Sequence, residues 1–273
     1  MVVFPNCKIN IGLNITGKRP DGFHDLQTIF YPIAIKDALE IIENKTGDEA
    51  VIFTSSGNEI DAKPTENLCV SAYQLLKKDF PKLPAVQIHL HKNIPIGAGL
   101  GGGSADAAFT LQLLNSKFSL SLSQKDLSKY AATLGSDCAF FLLNKPCYAT
   151  GRGELVQAVD LNLTSYKILL INPGIHINTV WAFSQLNLST KKQPELNQLI
   201  KQPIQNWKNQ LTNDFEAPVF AAYPEIEFIK NNLYQQGAIY AAMSGSGSSV
   251  YGIFEKEKPV LTNFSAHYFY KWV

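Results

Sequence analysis

Pro95-Ile96-Gly97-Ala98-Gly99-Leu100-Gly101-Gly102-Gly103-Ser104-Ala105-Asp106-Ala107-Ala108 is the stretch on which the reading of this chain turns. Five of the seven residues from Gly97 to Gly103 are glycine, and such a run costs backbone entropy, so it calls for a physical reason. Glycine permits positive φ and lets the backbone come close to a ligand, so that successive amides can face one concavity. Ahead of a helix, those amides add to the positive end of the dipole and suit a polyphosphate. Residues 104–114 carry that expected helix, rich in alanine. A flexible linker is disfavoured, because Leu100 interrupts the polar character and good helix formers follow. Gly97, Gly99 and Gly102 also match the dinucleotide pattern G-x-G-x-x-G. That match is weak: six residues separate Leu90 from Gly97, and four strands and a helix come first where a βαβ unit should begin. No Gly-Lys-Ser/Thr follows, so a Walker A loop is excluded.

Working outward, residues 2–56 read as strands. Residues 8–15 alternate strictly, further β-rich runs lie at 26–35, 38–42 and 51–54, and turn chemistry fills 17–22. Residues 67–80 have the helical period, with Asn67 available as a cap, and a strand follows at 86–90. Ser123 with Asp126 three residues on opens another helix as a capping box. Beyond it come a strand at 167–171, a helix at 179–186, a polar stretch at 190–201 read as a surface excursion, and a helix at 224–235 with proline in its first turn. Strands at 238–243, 249–254 and 266–272 complete the chain. Strands and helices mix without regular βαβ alternation, which predicts an α+β fold.

The 273 residues, with 24 basic against 23 acidic side chains and 45% hydrophobic content, predict a globular chain of one large domain or two small ones. A balanced charge argues against a nucleic-acid surface, and no apolar run approaches the length of a membrane span. Residues 1–5 lack the charged and cleavage-site features of a secretory leader, so a cytoplasmic protein is expected. Cys7, Cys69, Cys138 and Cys147 are scattered without any C-x-x-C pair, which predicts reduced, packed thiols. His89 and His91 lie one strand period apart with no third ligand nearby, and read as strand surface.

The glycine stretch resembles the phosphate loop of the GHMP small-molecule kinases, P-x-G-x-G-L-G-G-S/G-S. The resemblance continues in family order through Asn6-Cys7-Lys8-Ile9-Asn10-Ile11-Gly12-Leu13, Arg19-Pro20-Asp21-Gly22-Phe23-His24-Asp25-Leu26-Gln27-Thr28, Gly135-Ser136-Asp137-Cys138-Ala139-Phe140-Phe141, Gly151-Arg152-Gly153-Glu154 and Gly245-Ser246-Gly247-Ser248-Ser249. It implies a two-lobed fold: an N-terminal ATP-binding lobe resembling domain 2 of ribosomal protein S5 over 1–155, and a ferredoxin-like lobe over 156–273. The Asp-Gly-aromatic-His segment is the specific one, since other members share the glycine loop but lack it. It resembles members that phosphorylate the 2-hydroxyl of 4-diphosphocytidyl-2-C-methyl-D-erythritol, in the non-mevalonate route to isoprenoids. The implied cofactors are ATP and Mg²⁺, the implied partner is that small molecule rather than nucleic acid or membrane, and the protein is expected as a monomer or homodimer. Alternatives are a GHMP kinase of homoserine or mevalonate type, or a nucleotide sensor without turnover.

By this resemblance, Pro95 to Ala105 cradle the ATP phosphates and Ser104 is a candidate Mg²⁺ ligand. Asp137 accepts or orients the substrate hydroxyl, and Lys8 stabilises the transferring phosphoryl group. Phe23 and His24 bind cytosine, while Asn10 and Thr179 lie near the substrate. Four of these side chains have an ordinary alternative. Asp137 stands where an N-cap belongs, ahead of an apolar run. Lys8 shares its strand face with Asn10, Gly12 and Asn14, a polar face that could line solvent or a cleft. His24 could be a hairpin histidine, and Thr179 a simple cap. Phe23 stands where the family has tyrosine, keeping the aromatic face without the hydroxyl.

Overall fold

A computed structural model describes residues 1–45, 47, 49–61, 63–186, 195–257 and 264–273. In chain order the elements are β1 (Val2–Val3), β2 (Asn6–Lys18), β3 (His24–Lys36), β4 (Ala38–Glu43), β5 (Val51–Gly57), α1 (Leu68–Asp79), β6 (Val86–Lys92), α2 (Gly102–Lys117), α3 (Gln124–Leu134) and α4 (Cys138–Leu143). They continue with β7 (Cys147–Thr150), β8 (Leu155–Ala158), β9 (Tyr166–Asn172), α5 (Thr179–Ser184), α6 (Leu196–Leu199), α7 (Glu216–Ala222), α8 (Pro224–Gln235), β10 (Tyr240–Met243), β11 (Val250–Glu255) and β12 (Phe269–Trp272). Two compact units result, one of Met1–Cys7, Ala34–Ile96 and Gly101–Asn144, the other of Lys8–Ile33, Gly97–Leu100 and Lys145–Val273.

The first unit contains a sheet in the order β1-β4-β6-β5, with α1 to α4 packed among one another. β5 and β6 pair in parallel, Val51 opposite Val86, which their connection through α1 permits. In β6, Val86, Ile88 and Leu90 are buried while His89 and His91 face out and hydrogen-bond to Thr54 and Ser56, as the strand period dictates. Asn67 caps α1, its side chain accepting from the Cys69 amide at 2.9 Å. At α3 both halves of the Ser123/Asp126 capping box form. α2 buries Ala105, Ala107, Ala108 and Leu111, so its small side chains let neighbouring elements approach closely.

In the second unit, β2-β3-β7-β8 form one sheet and β10-β11-β9-β12 another, the latter antiparallel throughout. The core gathers Leu169 and Ile171 of β9, Val250 and Phe254 of β11, Ile229 and Leu233 of α8, and Phe215. All four cysteines of the chain are buried, and none is in a disulfide. Among the described residues, no helix is long and apolar enough to cross a membrane.

Three differences from the sequence reading have physical causes. α2 begins at Gly102 rather than at residue 104, because Gly101 takes the left-handed conformation at φ +69° and starts the helix within the glycine run. β7 and β8, four residues each, escaped the reading because so short a run carries little periodicity. Of the polar stretch expected on the surface, 190–194 lie outside the described residues. From Glu195 to Lys201 the outcome is divided: Glu195, Gln198 and Lys201 are exposed as expected, but α6 buries Leu196, whose methyls pack where a side chain on Gly12 would sit, at 3.1 Å.

Candidate active site

Within the second unit the polar face of β2 is not wet. Lys8 and Asn10 are 3% and 2% exposed, so the solvent alternative for that face fails. The Lys8 ammonium donates to Asn10 Oδ1 at 2.6 Å and to the Gly99 carbonyl at 3.1 Å, and lies 4.9 Å from the centre of the Phe30 ring. Its backbone amide donates to the Leu100 carbonyl at 3.0 Å. Lysine, asparagine and the first half of the glycine loop are therefore brought together.

That half-loop rests on the turn between β10 and β11. Ser244 Oγ donates to the Gly99 carbonyl at 2.9 Å, and the Ser249 amide donates to the Ala98 carbonyl at 3.3 Å. A β-carbon on Gly99, whose φ is +76°, would stand 1.9 Å from the Ser244 carbonyl oxygen, and one on Gly247 would stand 2.2 Å from the Gly99 nitrogen. Two backbones touch here, and only glycine fits on either side. Asn213 holds the turn from behind, donating to the Met243 and Gly245 carbonyls at 2.9 and 2.8 Å. Thr179 meets the turn through Ser246 Oγ at 3.3 Å. Asn178, not Thr179, caps α5, which removes the capping alternative for Thr179.

The segment ahead of β3 is braced by charge. Arg19 pairs with Asp21 and Asp25, and the Phe23 amide donates to Asp21 Oδ1 at 3.1 Å. Phe23 is 52% exposed and presents a ring to the Arg152 guanidinium at 4.8 Å. His24 stacks on Phe183, the ring centres 4.9 Å apart and 20° from parallel. Nothing in the sequence singled out Phe183, an aromatic residue in a short helix with no motif around it.

Within the first unit, Gly101 heads α2 without a side-chain cap, so the helix presents its first amides. Ser104 lies against the turn that carries Asp137: a β-carbon on Gly135 would meet Ser104 Oγ at 3.7 Å and Cys138 Sγ at 3.5 Å. Burial pushes the Cys138 thiol up to about 12, although a hydrogen bond with Ser104 opposes the rise. The thiol is no nucleophile at neutral pH. Asp137 holds the N-cap position of α4, yet its backbone is helical, at φ −76° and ψ −12°, and its side chain makes no capping hydrogen bond. The capping alternative for Asp137 therefore fails.

The start of α2 is anchored from below. Lys92 at the end of β6 is buried between Asp37, which it contacts closely, and Asp106 of α2 at 2.8 Å. Asp37 Oδ1 also accepts from the Asn93 and Ile94 amides at 2.7 and 2.9 Å. Burial by itself would lower the Lys92 pKa, but the two carboxylates outweigh it and leave it raised. Burial drives Asp106 up to about 7 against the pull of Lys92, with Asp37 adding to the rise. Replacing Lys92 by Met strands two buried carboxyl groups, and the expected loss is roughly 3–5 kcal/mol of folding stability. Urea denaturation measures it; an unchanged midpoint would contradict the clamp. Among the described residues no group of three or more His, Cys, Asp or Glu is placed to hold a metal.

Comparison with known proteins accounts for this arrangement. A family model described as GHMP kinases N terminal domain matches residues 67–145, and one described as GHMP kinases C terminal matches 189–268. A protein of Bacteroides fragilis named 4-diphosphocytidyl-2-C-methyl-D-erythritol kinase is 53% identical over 260 residues, 95% of this chain and 94% of that protein. The chain belongs to the GHMP kinases. This GHMP kinase is also 50% identical to a protein of the same name from Azobacteroides pseudotrichonymphae, covering 98% of one chain and 100% of the other. Among solved structures, a 4-(cytidine 5'-diphospho)-2C-methyl-D-erythritol kinase superposes with a TM-score of 0.79 at 29% identity, covering 93% of this GHMP kinase and 90% of that chain. The mevalonate kinase of Methanococcus jannaschii superposes with a TM-score of 0.70 at 14% identity, which shows a shared fold and no more.

Proposed function

We propose that this GHMP kinase transfers the γ-phosphoryl group of ATP to the 2-hydroxyl of 4-diphosphocytidyl-2-C-methyl-D-erythritol, in the non-mevalonate supply of isoprenoid precursors. The observation that carries the substrate is the exposed Phe23 ring with His24 beside it, a flat apolar face and a polar edge suited to a pyrimidine. The relatives at 53% and 50% identity carry that substrate in their names.

Phosphoryl transfer asks for positioning and charge neutralisation more than for covalent chemistry. The backbone from Pro95 to Ala105 holds the triphosphate, its amides unobstructed by β-carbons at Gly101, Gly102 and Gly103. Lys8, kept from water by its burial, sets a positive charge beside the transferred group, where a preorganised charge acts most strongly. Asp137 orients the attacking hydroxyl or takes its proton. Asn10 and Thr179 hold the substrate near the loop. Mg²⁺ suits the hard oxygen donors of this region, where the Ser104 hydroxyl adjoins the turn bearing Asp137; when bound with ATP it offsets phosphate charge. The functional division is placed near residue 155, in the interval between the two family matches. Four buried cysteines outside any disulfide suit a reducing cytoplasm.

A coupled ADP-release assay with the cytidine diphosphate alcohol beside homoserine, mevalonate and other alcohols tests the reading. Turnover is expected with the cytidine compound alone, and equal turnover with alcohols lacking cytidine would overturn it. Phe23→Ala is expected to raise KM for the cytidine substrate by about tenfold, from roughly 1–3 kcal/mol of lost stacking, while KM for ATP stays put. Equal losses for both substrates would contradict the stacking role.

A further inference from the structure

Asn10 is held on all sides but one. Its amide nitrogen donates to Ser244 Oγ at 3.2 Å, and its carbonyl accepts from the Tyr251 hydroxyl at 2.8 Å. The remaining freedom is the orientation of its side-chain amide, which presents either oxygen or NH₂ to the Lys8 ammonium. An oxygen accepts from Lys8; an NH₂ group there meets a second donor and a positive charge.

Thr28, fully buried on the neighbouring strand β3, holds the same choice from the other end of the amide. Its hydroxyl lies 2.6 Å from the Gly12 carbonyl oxygen and 3.0 Å from Asn10 Nδ2. A hydroxyl has a single proton, and the Gly12 carbonyl, which can only accept, takes it. Gly12 itself adopts φ +66° in the middle of β2. Thr28 is left with a lone pair toward Asn10 and must accept. Asn10 therefore turns its NH₂ to Thr28 and its oxygen to Lys8, 2.6 Å from the ammonium. Ser244 does not compete, since its proton serves the Gly99 carbonyl at 2.9 Å rather than Asn10 Oδ1 at 3.4 Å.

We propose that Thr28 is a positioning residue for phosphoryl transfer, its committed proton fixing the polarity of the Asn10 amide and thereby the seat of the Lys8 ammonium. This rests on the reading of Lys8 as catalytic. Thr28 acts from behind two residues and touches no substrate.

Steady-state kinetics of the full-length protein with ATP and the cytidine substrate test it in Thr28→Val, Thr28→Ser, Asn10→Ala, Lys8→Ala and the Asn10→Ala/Thr28→Val double variant. Thr28→Val is expected to lower kcat about tenfold, the scale of one lost positioning hydrogen bond, with KM for ATP within about twofold. Thr28→Ser, which keeps the hydroxyl, is expected to restore kcat to within about twofold of the parent. In the double variant kcat falls no further than in Asn10→Ala alone, because the threonine works through the asparagine. Thr28→Ala replaces the valine variant if that one does not fold. Full kcat without the hydroxyl while Lys8→Ala is impaired, a tenfold loss in Thr28→Ser, or additive losses in the double variant would each overturn the positioning role. Intact kcat in Lys8→Ala would instead remove the catalytic reading of Lys8, and this inference with it.

Discussion

Asp137→Asn is expected to bind ATP as the parent does and to lose roughly two orders of magnitude or more in kcat, the scale of a removed, positioned acid–base or orienting group. The substitution is nearly isosteric. It also leaves α4 intact, because the carboxylate makes no capping hydrogen bond that asparagine would have to replace. A fall in rate therefore reports chemistry rather than a frayed helix. Single-turnover rates with saturating substrates, beside calorimetric affinity for a non-hydrolysable ATP analogue, separate the two quantities. Near-normal turnover would remove Asp137 from the mechanism, and lost nucleotide affinity would recast it as a binding residue.

Gly99→Ala carries the second large effect. The added methyl would stand 1.9 Å from the Ser244 carbonyl oxygen, at a φ of +76° that alanine adopts poorly, so either the loop or the turn behind it must move. The Gly99 carbonyl moves with them, and it accepts from the Lys8 ammonium. Both stability and catalysis are expected to suffer: a loss of about 1–3 kcal/mol in folding, the usual scale of a strained backbone position, and a fall of about a hundredfold in kcat/KM if Lys8 loses its seat. Gly103→Ala supplies the stability control. It lies inside α2, its β-carbon finds nothing nearer than Leu68 at 3.8 Å, and alanine favours the helix by about 0.5–1 kcal/mol. A Gly99→Ala protein as stable as the parent would show that the close approach is relieved at no cost.

Local signals account for what could be read before the structure. The Ser123/Asp126 box, the Asn67 cap and the in-and-out alternation of β6 are each decided within a few residues, and each appears where its chemistry places it. β2 shows where such signals stop. Its alternation separates two faces but does not say which is wet, and both prove buried from Asn6 to Ile15 because other elements cover them. Asp137 has the composition of a cap, and only its backbone angles reveal that the side chain is not so used. Lys92, Asp37 and Asp106 lie on three separate elements, and a lone lysine ending a strand gives no hint of two carboxylates around it. Thr28 stands inside a recognisable segment, but its part depends on the direction of a hydrogen bond, which no spacing encodes.

The contact between Gly99 and Gly247 bears on how the protein comes into being. The surface beneath the glycine loop is delivered by residues far downstream in the chain, after the loop itself has left the ribosome. A growing polypeptide halted before the β10–β11 turn has the glycines but lacks the surface that shapes them. Removing the β10–β11 turn is therefore expected to leave the glycine loop without its shape, even where every side chain proposed for catalysis is kept.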